Sequence, residues 1–186
     1  MRIRGYEIEP GADLAGVDLT GVILAGADLA GINFSRADLS KSNLACANLR
    51  GANLSQTNLH ETILSKANLK NADLSGANLT GADLDNAGLV WTRLYAANLT
   101  GVKLSGTILV GVDLTKAAGI IHVGPSIDGY EFYGVVRDGK VWIKAGCRWF
   151  TADDARWHWI KTRSSTPIGK ERLRFVDFIE NHLKGE

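Results

Sequence analysis

The sequence predicts a mainly β protein in which a solenoid is followed by a small α+β module. Two observations predict the solenoid: leucine recurs at every fifth position, and a small or β-branched residue stands two places before each leucine. A third observation, the end of this period after Lys116, predicts a separate C-terminal module. The length of 186 residues is enough for one domain with an appendage.

The five-residue period fits neither a regular helix nor a flat strand. The leucine position recurs 21 times between residues 14 and 114, with Phe34 as the one exception, and Asp or Asn usually precedes it. Leucines five apart form no stripe on a helix, and on a flat strand they would alternate between the two faces. The chain therefore turns within each unit, so that the leucines of successive units share one axis, as in a solenoid.

These units resemble the pentapeptide-repeat family, whose motif is A(D/N)LXX. Matching runs include "ADLAG" (27–31), "ANLRG" (47–51) and "ADLSG" (72–76), and the resemblance covers residues 11–116. It implies a right-handed quadrilateral β-helix of about five coils, with leucine and the preceding small residue pointing inward. We therefore expect a β-helix over residues 11–118, preceded by a lead-in or cap over residues 1–10.

Four units per coil would stack residues that lie 20 positions apart. The stacked Asp and Asn columns can then hydrogen-bond along the axis, which favours a structural role for them. One column of inward side chains forms a core stack: Leu14, Phe34, Leu54, Leu74, Leu94 and Leu114.

Large apolar residues break the outward pattern in "AGLVWTRLYAANL" (87–99), where other repeats carry small, polar or charged residues. Stacking gathers them with residues of the next coil into one apolar patch: Val90, Trp91, Tyr95, Ile108 and Val110. A contiguous exposed apolar patch usually marks a contact surface. We expect the C-terminal module to dock on this patch, and the alternatives are a homodimer interface or a surface for another protein.

The C-terminal module, residues 119–186, is predicted to contain a β-hairpin and two helices. Residues 130–146 fit two strands joined by the turn Asp138-Gly139. Residues 150–163 fit a short helix with Thr151 as its N-cap, and residues 170–185 fit an amphipathic helix that Gly185 would stop. This ββαα module resembles the tails of some bacterial and phage pentapeptide-repeat proteins, and it would cover the open end of the solenoid.

Catalytic and metal-binding patterns are scarce. Cys147, His158 and Asp154 could in principle form a nucleophile, base and orienting carboxylate, but no nucleophile signature surrounds the cysteine, which favours structural roles. The four histidines are scattered without metal-ligand spacing. We predict that the protein is not an enzyme and has no catalytic residue, cofactor or metal site.

Basic residues of the middle coils have two interpretations. Arg50, Lys66 and Lys70 could contact an anion, but their spread over the surface favours a solvated rim. The net charge of +1 provides no general attraction to nucleic acid or to an anionic membrane. We expect neither a membrane contact nor direct nucleic-acid binding.

The leading functional prediction is a non-enzymatic protein-interaction or scaffold protein of bacterial or phage type with a still unidentified protein partner. The family resemblance also implies an alternative, DNA mimicry toward gyrase or topoisomerase. Mimicry needs an acidic surface, whereas residues 11–116 contain nine acidic and eight basic side chains. A ligand-binding or enzymatic function of the C-terminal module is a third alternative. Two cysteines and no apolar leader predict a cytoplasmic location.

Overall fold

The computed structural model describes residues 1–125, 131–137, 140–145, 148–163 and 166–183. The chain divides into two compact units, residues 1–118 and residues 119–186. Each unit is described by itself below.

The first unit is a solenoid held together by parallel bridges between residues 20 positions apart. These bridges run from Asp13↔Asn33 to Asn98↔Ala118. One turn of the solenoid therefore takes four five-residue repeats. The side chains at the central position are buried from Leu14 through Leu109, including Phe34, while Leu114 in the last repeat is half-buried. The core is a continuous column of leucine side chains, which is the interior that a solenoid needs.

The residue before each leucine has a structural task that explains the preference for Asp and Asn. In the repeat 52–56, the N–H of Asn53 donates to the preceding coil (2.9 Å), and the N–H of Leu54 donates to the following one (2.7 Å). The N–H of Ser55 has no coil neighbour to reach and donates to the side-chain Oδ1 of Asn53 at 3.1 Å. The motif thereby satisfies backbone donors that would otherwise be left unpaired.

Several repeats place a hydroxyl in the core, and each hydroxyl is hydrogen-bonded. The Oγ1 of Thr57 donates to the carbonyl oxygen of Phe34 at 2.7 Å, and the Oγ1 of Thr62 donates to that of Leu39 at 2.8 Å. Ser42, Thr92 and Thr107 make the same contact 23 residues back along the chain. Threonine can therefore replace alanine at the inward small position without burying an unpaired hydroxyl.

The N-terminus forms a short hairpin of strands β1 (Arg2–Ile3) and β2 (Tyr6–Glu7). Arg4, between the two strands, donates to the carboxylate of Asp18 and to the carbonyl oxygen of Thr20 in the first coil.

The second unit is an antiparallel sheet followed by two helices. The sheet has the order β3 (Ile120–Pro125), β4 (Glu131–Arg137), β5 (Lys140–Ala145) and β6 (Arg148–Thr151). Helix α1 (Ala152–Arg163) and helix α2 (Pro167–Leu183) follow. Trp159, Val176 and Ile179 of the helices are buried in one core with Ile143 of β5.

The sheet and helices extend the ββαα prediction in two places. Strands β3 and β6 were not predicted, and α2 begins at Pro167 instead of residue 170. Thr166 caps α2 by accepting a hydrogen bond from the N–H of Gly169, and proline suits the first helical position because it has no N–H to satisfy.

Helix α1 begins where the sequence predicts. Thr151 ends β6 and accepts a hydrogen bond from the N–H of Asp154, so it acts as the N-cap. The predicted turn Asp138-Gly139, Cys147 and the stop residue Gly185 lie outside the described residues.

Candidate contact surface

A polar ladder on one face of the solenoid ends where the apolar residues begin. The amide of Asn48 donates to Asp28 of the previous coil at 2.8 Å, and that of Asn68 donates to Asn48 at 3.3 Å. The next two positions of this column are Gly88 and Ile108, which continue the backbone bridges but not the side-chain ladder. The surface therefore changes from polar to apolar along one face.

Four of the five residues of the predicted apolar patch are exposed, and the fifth, Val90, is half-buried. The exposed fraction of the residue is 61% for Trp91, 59% for Val110, 51% for Ile108 and 40% for Tyr95. Val90 lies between Lys70 and Val110 in one stacked column, because the backbone pairs Asn71 with Val90 and Trp91 with Val110. The patch is thus contiguous along this face rather than a set of scattered residues.

Trp91 is held against the surface by the coil that follows. Its backbone is in the left-handed region, with φ of +57°, at the fifth position that many repeats fill with glycine. A Cβ added to Gly111 would lie 2.2 Å from Cε3 of the indole, so the ring covers the backbone of this glycine. An indole fixed in this way can contact a partner with little loss of side-chain entropy.

Tyr95 extends the patch past the corner of the coil. The ammonium nitrogen of Lys116 lies 5.4 Å from the centroid of the tyrosine ring, within the range of a cation–π contact. This contact places a positive charge at the edge of the patch.

The patch also leaves backbone donors uncovered. Gly88, Arg93 and Ile108 stand where other repeats carry Asp or Asn, so the N–H groups two residues later have no side-chain acceptor within residues 1–118. The N–H of Ser105 likewise has no Asp or Asn acceptor two residues before it, because Lys103 stands there. It donates instead to the carboxylate of Asp85 in the previous coil at 2.7 Å. Within residues 1–118 the N–H groups two residues after Gly88, Arg93 and Ile108 therefore have no acceptor, and a buried N–H without one is costly.

The basic residues of the middle coils adjoin this patch. Arg50 and Lys70 occupy the same column as Val90, and Lys66 lies at the preceding corner. All three side chains are exposed, and none forms an ion pair with the residues that the structure describes. The anion contact predicted for them stays a prediction.

Four aspartates of the solenoid have lowered pKa values, chiefly because their carboxylates accept hydrogen bonds from nearby backbone N–H and side-chain hydroxyl groups. Hydrogen bonds from Thr20 lower the pKa of Asp18, and those from Thr115 lower the pKa of Asp113. Burial raises the pKa of Asp38, but hydrogen bonds from the hydroxyl and N–H of Ser40 outweigh it. Asp73 behaves like Asp38, with hydrogen bonds from Ser75 and the positive charge of Arg93 outweighing burial. These carboxylates belong to the scaffold.

Of the three residues considered from the sequence as nucleophile, base and carboxylate, His158 and Asp154 lie within the described part of the C-terminal unit, and both make other contacts. The carboxylate of Asp154 accepts a hydrogen bond from the Thr151 hydroxyl at 2.6 Å, and the ring of His158 stacks on Phe150 with 5.7 Å between centroids. Cys147 lies outside the described residues. Across the described ranges, no three His, Cys, Asp or Glu side chains form a group that could hold a metal ion.

Sequence reasoning missed a second exposed apolar pair, which lies on helix α1. Trp157 is 64% exposed and Ile160 is 55% exposed, although the helix buries Trp159 on its other side. Their separation of three residues places them on one face, and this spacing could have indicated the pair before the structure was known. None of the helices in the described part of the chain is long and apolar enough to cross a membrane.

The geometry defines a repeat solenoid with an exposed apolar surface, and comparison with known proteins identifies its family. The chain belongs to the pentapeptide repeat family. The model of that family, described as pentapeptide repeats, matches in 8 copies. The matched segments overlap and together span more than half of the chain: 12–51, 32–71, 42–81, 52–89, 62–101 and 92–118. No curated protein matches the chain.

Solved structures support the same family. HetL, a pentapeptide repeat protein involved in heterocyst differentiation regulation in the cyanobacterium Nostoc sp. strain PCC 7120, is 34% identical with a TM-score of 0.50. The match covers 57% of this chain and 59% of HetL, so the chain spans less than two thirds of HetL's length.

Two further solved structures are similar to part of the chain. Rfr23 from the cyanobacterium Cyanothece 51142 is 34% identical over 57% of this chain and 90% of its own, with a TM-score of 0.35. QnrB1, a plasmid-mediated fluoroquinolone resistance protein, is 16% identical over 56% of this chain and 68% of its own, with a TM-score of 0.43.

Proposed function

We propose that the chain is a non-enzymatic protein-interaction protein, in which the solenoid presents a rigid contact surface. The observation that carries the proposal is the contiguous apolar patch formed by Val90, Trp91, Tyr95, Ile108 and Val110. Burying such a patch stabilises a complex by roughly 25 cal/mol for each Å² removed from water, before the cost of association is subtracted.

The proposal includes the finer description of the architecture. Residues 1–10 serve as a lead-in to the solenoid, and residues 11–118 wind into a right-handed, four-sided β-helix of about five coils. The family resemblance and the 20-residue spacing of the bridges support this description. The protein acts in the cytoplasm of a bacterium or in a phage-infected cell.

DNA mimicry toward gyrase is the alternative, and the charge distribution disfavours it. The acidic and basic side chains of residues 11–116 nearly balance, and Arg93 neutralises Asp73 at 2.8 Å. An assay of gyrase supercoiling with the full-length chain separates the two functions, since a DNA mimic inhibits supercoiling at low protein concentration and a binding protein of another target does not.

Substitutions in the patch test the interaction proposal directly. The full-length chain carrying Trp91→Ser and Val110→Ser is compared with wild type for the proteins that it retains from its host, identified by quantitative mass spectrometry. Ile23→Ser is the matched control, because Ile23 is an exposed isoleucine outside the patch. We expect the patch variant to lose a specific protein that the control retains. Equal retention by wild type and both variants would contradict the proposal.

A further inference from the structure

Two like charges stand next to each other on the patch face without a counter-charge. Arg50 and Lys70 occupy the same position in successive coils, about 4.8 Å apart along the axis. Two other cations of the solenoid pair with a residue of the neighbouring coil: Lys41 lies 4.0 Å from Glu61 and Arg93 lies 2.8 Å from Asp73. Within the described residues the basic pair has no such partner, and neighbouring like charges destabilise each other. An acidic group from outside the solenoid would relieve this repulsion.

One side of helix α1 carries an acidic residue followed by two apolar residues. This order complements the patch face, where basic residues are followed by apolar ones. Asp153, Trp157 and Ile160 are exposed, and their spacing of four and three residues places them on one side of the helix. Asp153 is near the N-terminal end, while the apolar pair is one and two turns further on. The ammonium nitrogen of Lys161 lies 4.5 Å from the centroid of the Trp157 ring, so one positive charge lies beside the apolar pair.

The two surfaces also agree in spacing. Asp153 and Ile160 are separated by about 10.5 Å along the helix at 1.5 Å per residue. Lys70, Val90 and Val110 span two coil spacings, or about 9.6 Å. A helix laid along the column therefore brings Asp153 to Lys70 while Trp157 and Ile160 reach the apolar patch.

From this complementarity we propose that the occupant of the patch is helix α1 of a second copy of this chain. The exchange is reciprocal, so that a dimer contains two equivalent contacts related by a two-fold axis. The inference rests on the proposed function, because it specifies which partner the contact surface binds. Trp91 and Trp157 form the apolar centre of each contact, and the ion pair between Asp153 and Lys70 sets its direction.

Mixing two charge-reversed variants tests the reciprocal contact. Sedimentation velocity measures the mass of full-length wild type, Lys70→Glu, Asp153→Lys and an equimolar mixture of the two variants. We expect wild type at twice the chain mass of 20.0 kDa. Each variant alone should dimerise at least about tenfold more weakly, because both of its contacts oppose like charges. The mixture should recover the dimer, since every contact in the mixed pair joins opposite charges.

Two controls separate this contact from other causes. Lys103→Glu reverses an exposed lysine on another face and should leave the dimer unchanged. Trp157→Ala removes an apolar anchor without changing charge and should weaken the dimer by at least about tenfold. Circular dichroism of each variant shows that the fold is retained.

Several results would overturn the inference. A monomeric wild type, a mixture that stays monomeric, or a Trp157→Ala variant that dimerises like wild type would each do so. If the wild type is monomeric but Trp91→Ser with Val110→Ser still loses a specific host protein, the second-copy inference fails while the proposed function stands.

Discussion

The indole ring of Trp91 covers the backbone of Gly111 in the following coil, where a Cβ would come within 2.2 Å of Cε3. This relationship fixes the largest side chain of the apolar patch. Two separate features therefore favour glycine at position 111. Its φ of +65° lies in the left-handed region, and a side chain there would collide with the Trp91 ring.

Gly111→Ala should therefore destabilise the solenoid more than an equivalent glycine substitution elsewhere. The left-handed backbone alone costs a non-glycine residue about 1–2 kcal/mol, and displacing the indole of Trp91 adds to this cost. Gly31→Ala is the matched control, with φ of +66° and open space around the added methyl. Urea denaturation compares the two free energies of unfolding, and equal losses would show that Trp91 does not rest on Gly111.

Thr57→Val tests whether the buried hydroxyls stabilise the core. The substitution keeps the shape of the side chain but removes the donor to the Phe34 carbonyl, which retains its hydrogen bond from the N–H of Ala37 at 3.0 Å. We expect a loss of about 1 kcal/mol in the free energy of unfolding. An unchanged or increased stability would mean that the contact contributes nothing.

The lowered pKa of Asp38 predicts a loss of stability in acid. A carboxyl group with a lowered pKa in the folded state stabilises the fold fully above its ordinary value of 3.8, and this contribution disappears as the pH falls through the lower folded value. Asp38→Asn retains an oxygen that can accept from Ser40 but does not titrate. Denaturation midpoints measured from neutral pH downward should therefore fall less for the variant than for wild type. Parallel curves would contradict the assignment.

Gly134 limits the approach of helix α2 to strand β4. A Cβ at this position would lie 2.1 Å from Cγ2 of Ile179, and the glycine is not in the left-handed region, so the conflict is purely steric. Gly134→Ala should cost about 1–3 kcal/mol. Adding Ile179→Ala to this variant should cost less than Ile179→Ala costs in wild type, as measured in a double-mutant cycle. Simple addition of the two losses would show that the residues do not compete for space.

The repeat could be predicted from sequence because its signal is local and repeated many times. Each unit carries its own inward leucine and its own Asp or Asn acceptor, so the motif specifies both core and backbone pairing. Strands β3 and β6 lack such repetition. Their residues join a sheet through pairing with β4 and β5, which the local pattern of "IIHVGP" and "RWFT" does not specify.

The candidate surface was predictable only in part. The substitutions at Val90, Trp91 and Val110 stand out against the repeat, so the position of the patch followed from the 20-residue stacking. The lack of a counter-charge for Arg50 and Lys70 did not follow, since it depends on every neighbouring side chain. The exposure of Trp157 required knowledge of which side of α1 packs on the core.

The central claim is that the apolar patch is a contact surface, and oxidative labelling of Trp91 tests it most directly. Labelling is measured by mass spectrometry in dilute purified protein and in a concentrated extract of the host, where any partner, including a second copy, is present. Tyr6, which is exposed on the N-terminal hairpin, serves as the internal reference. The proposal predicts that Trp91 is labelled less in the extract while Tyr6 is unchanged. Equal labelling of Trp91 in both conditions would contradict it.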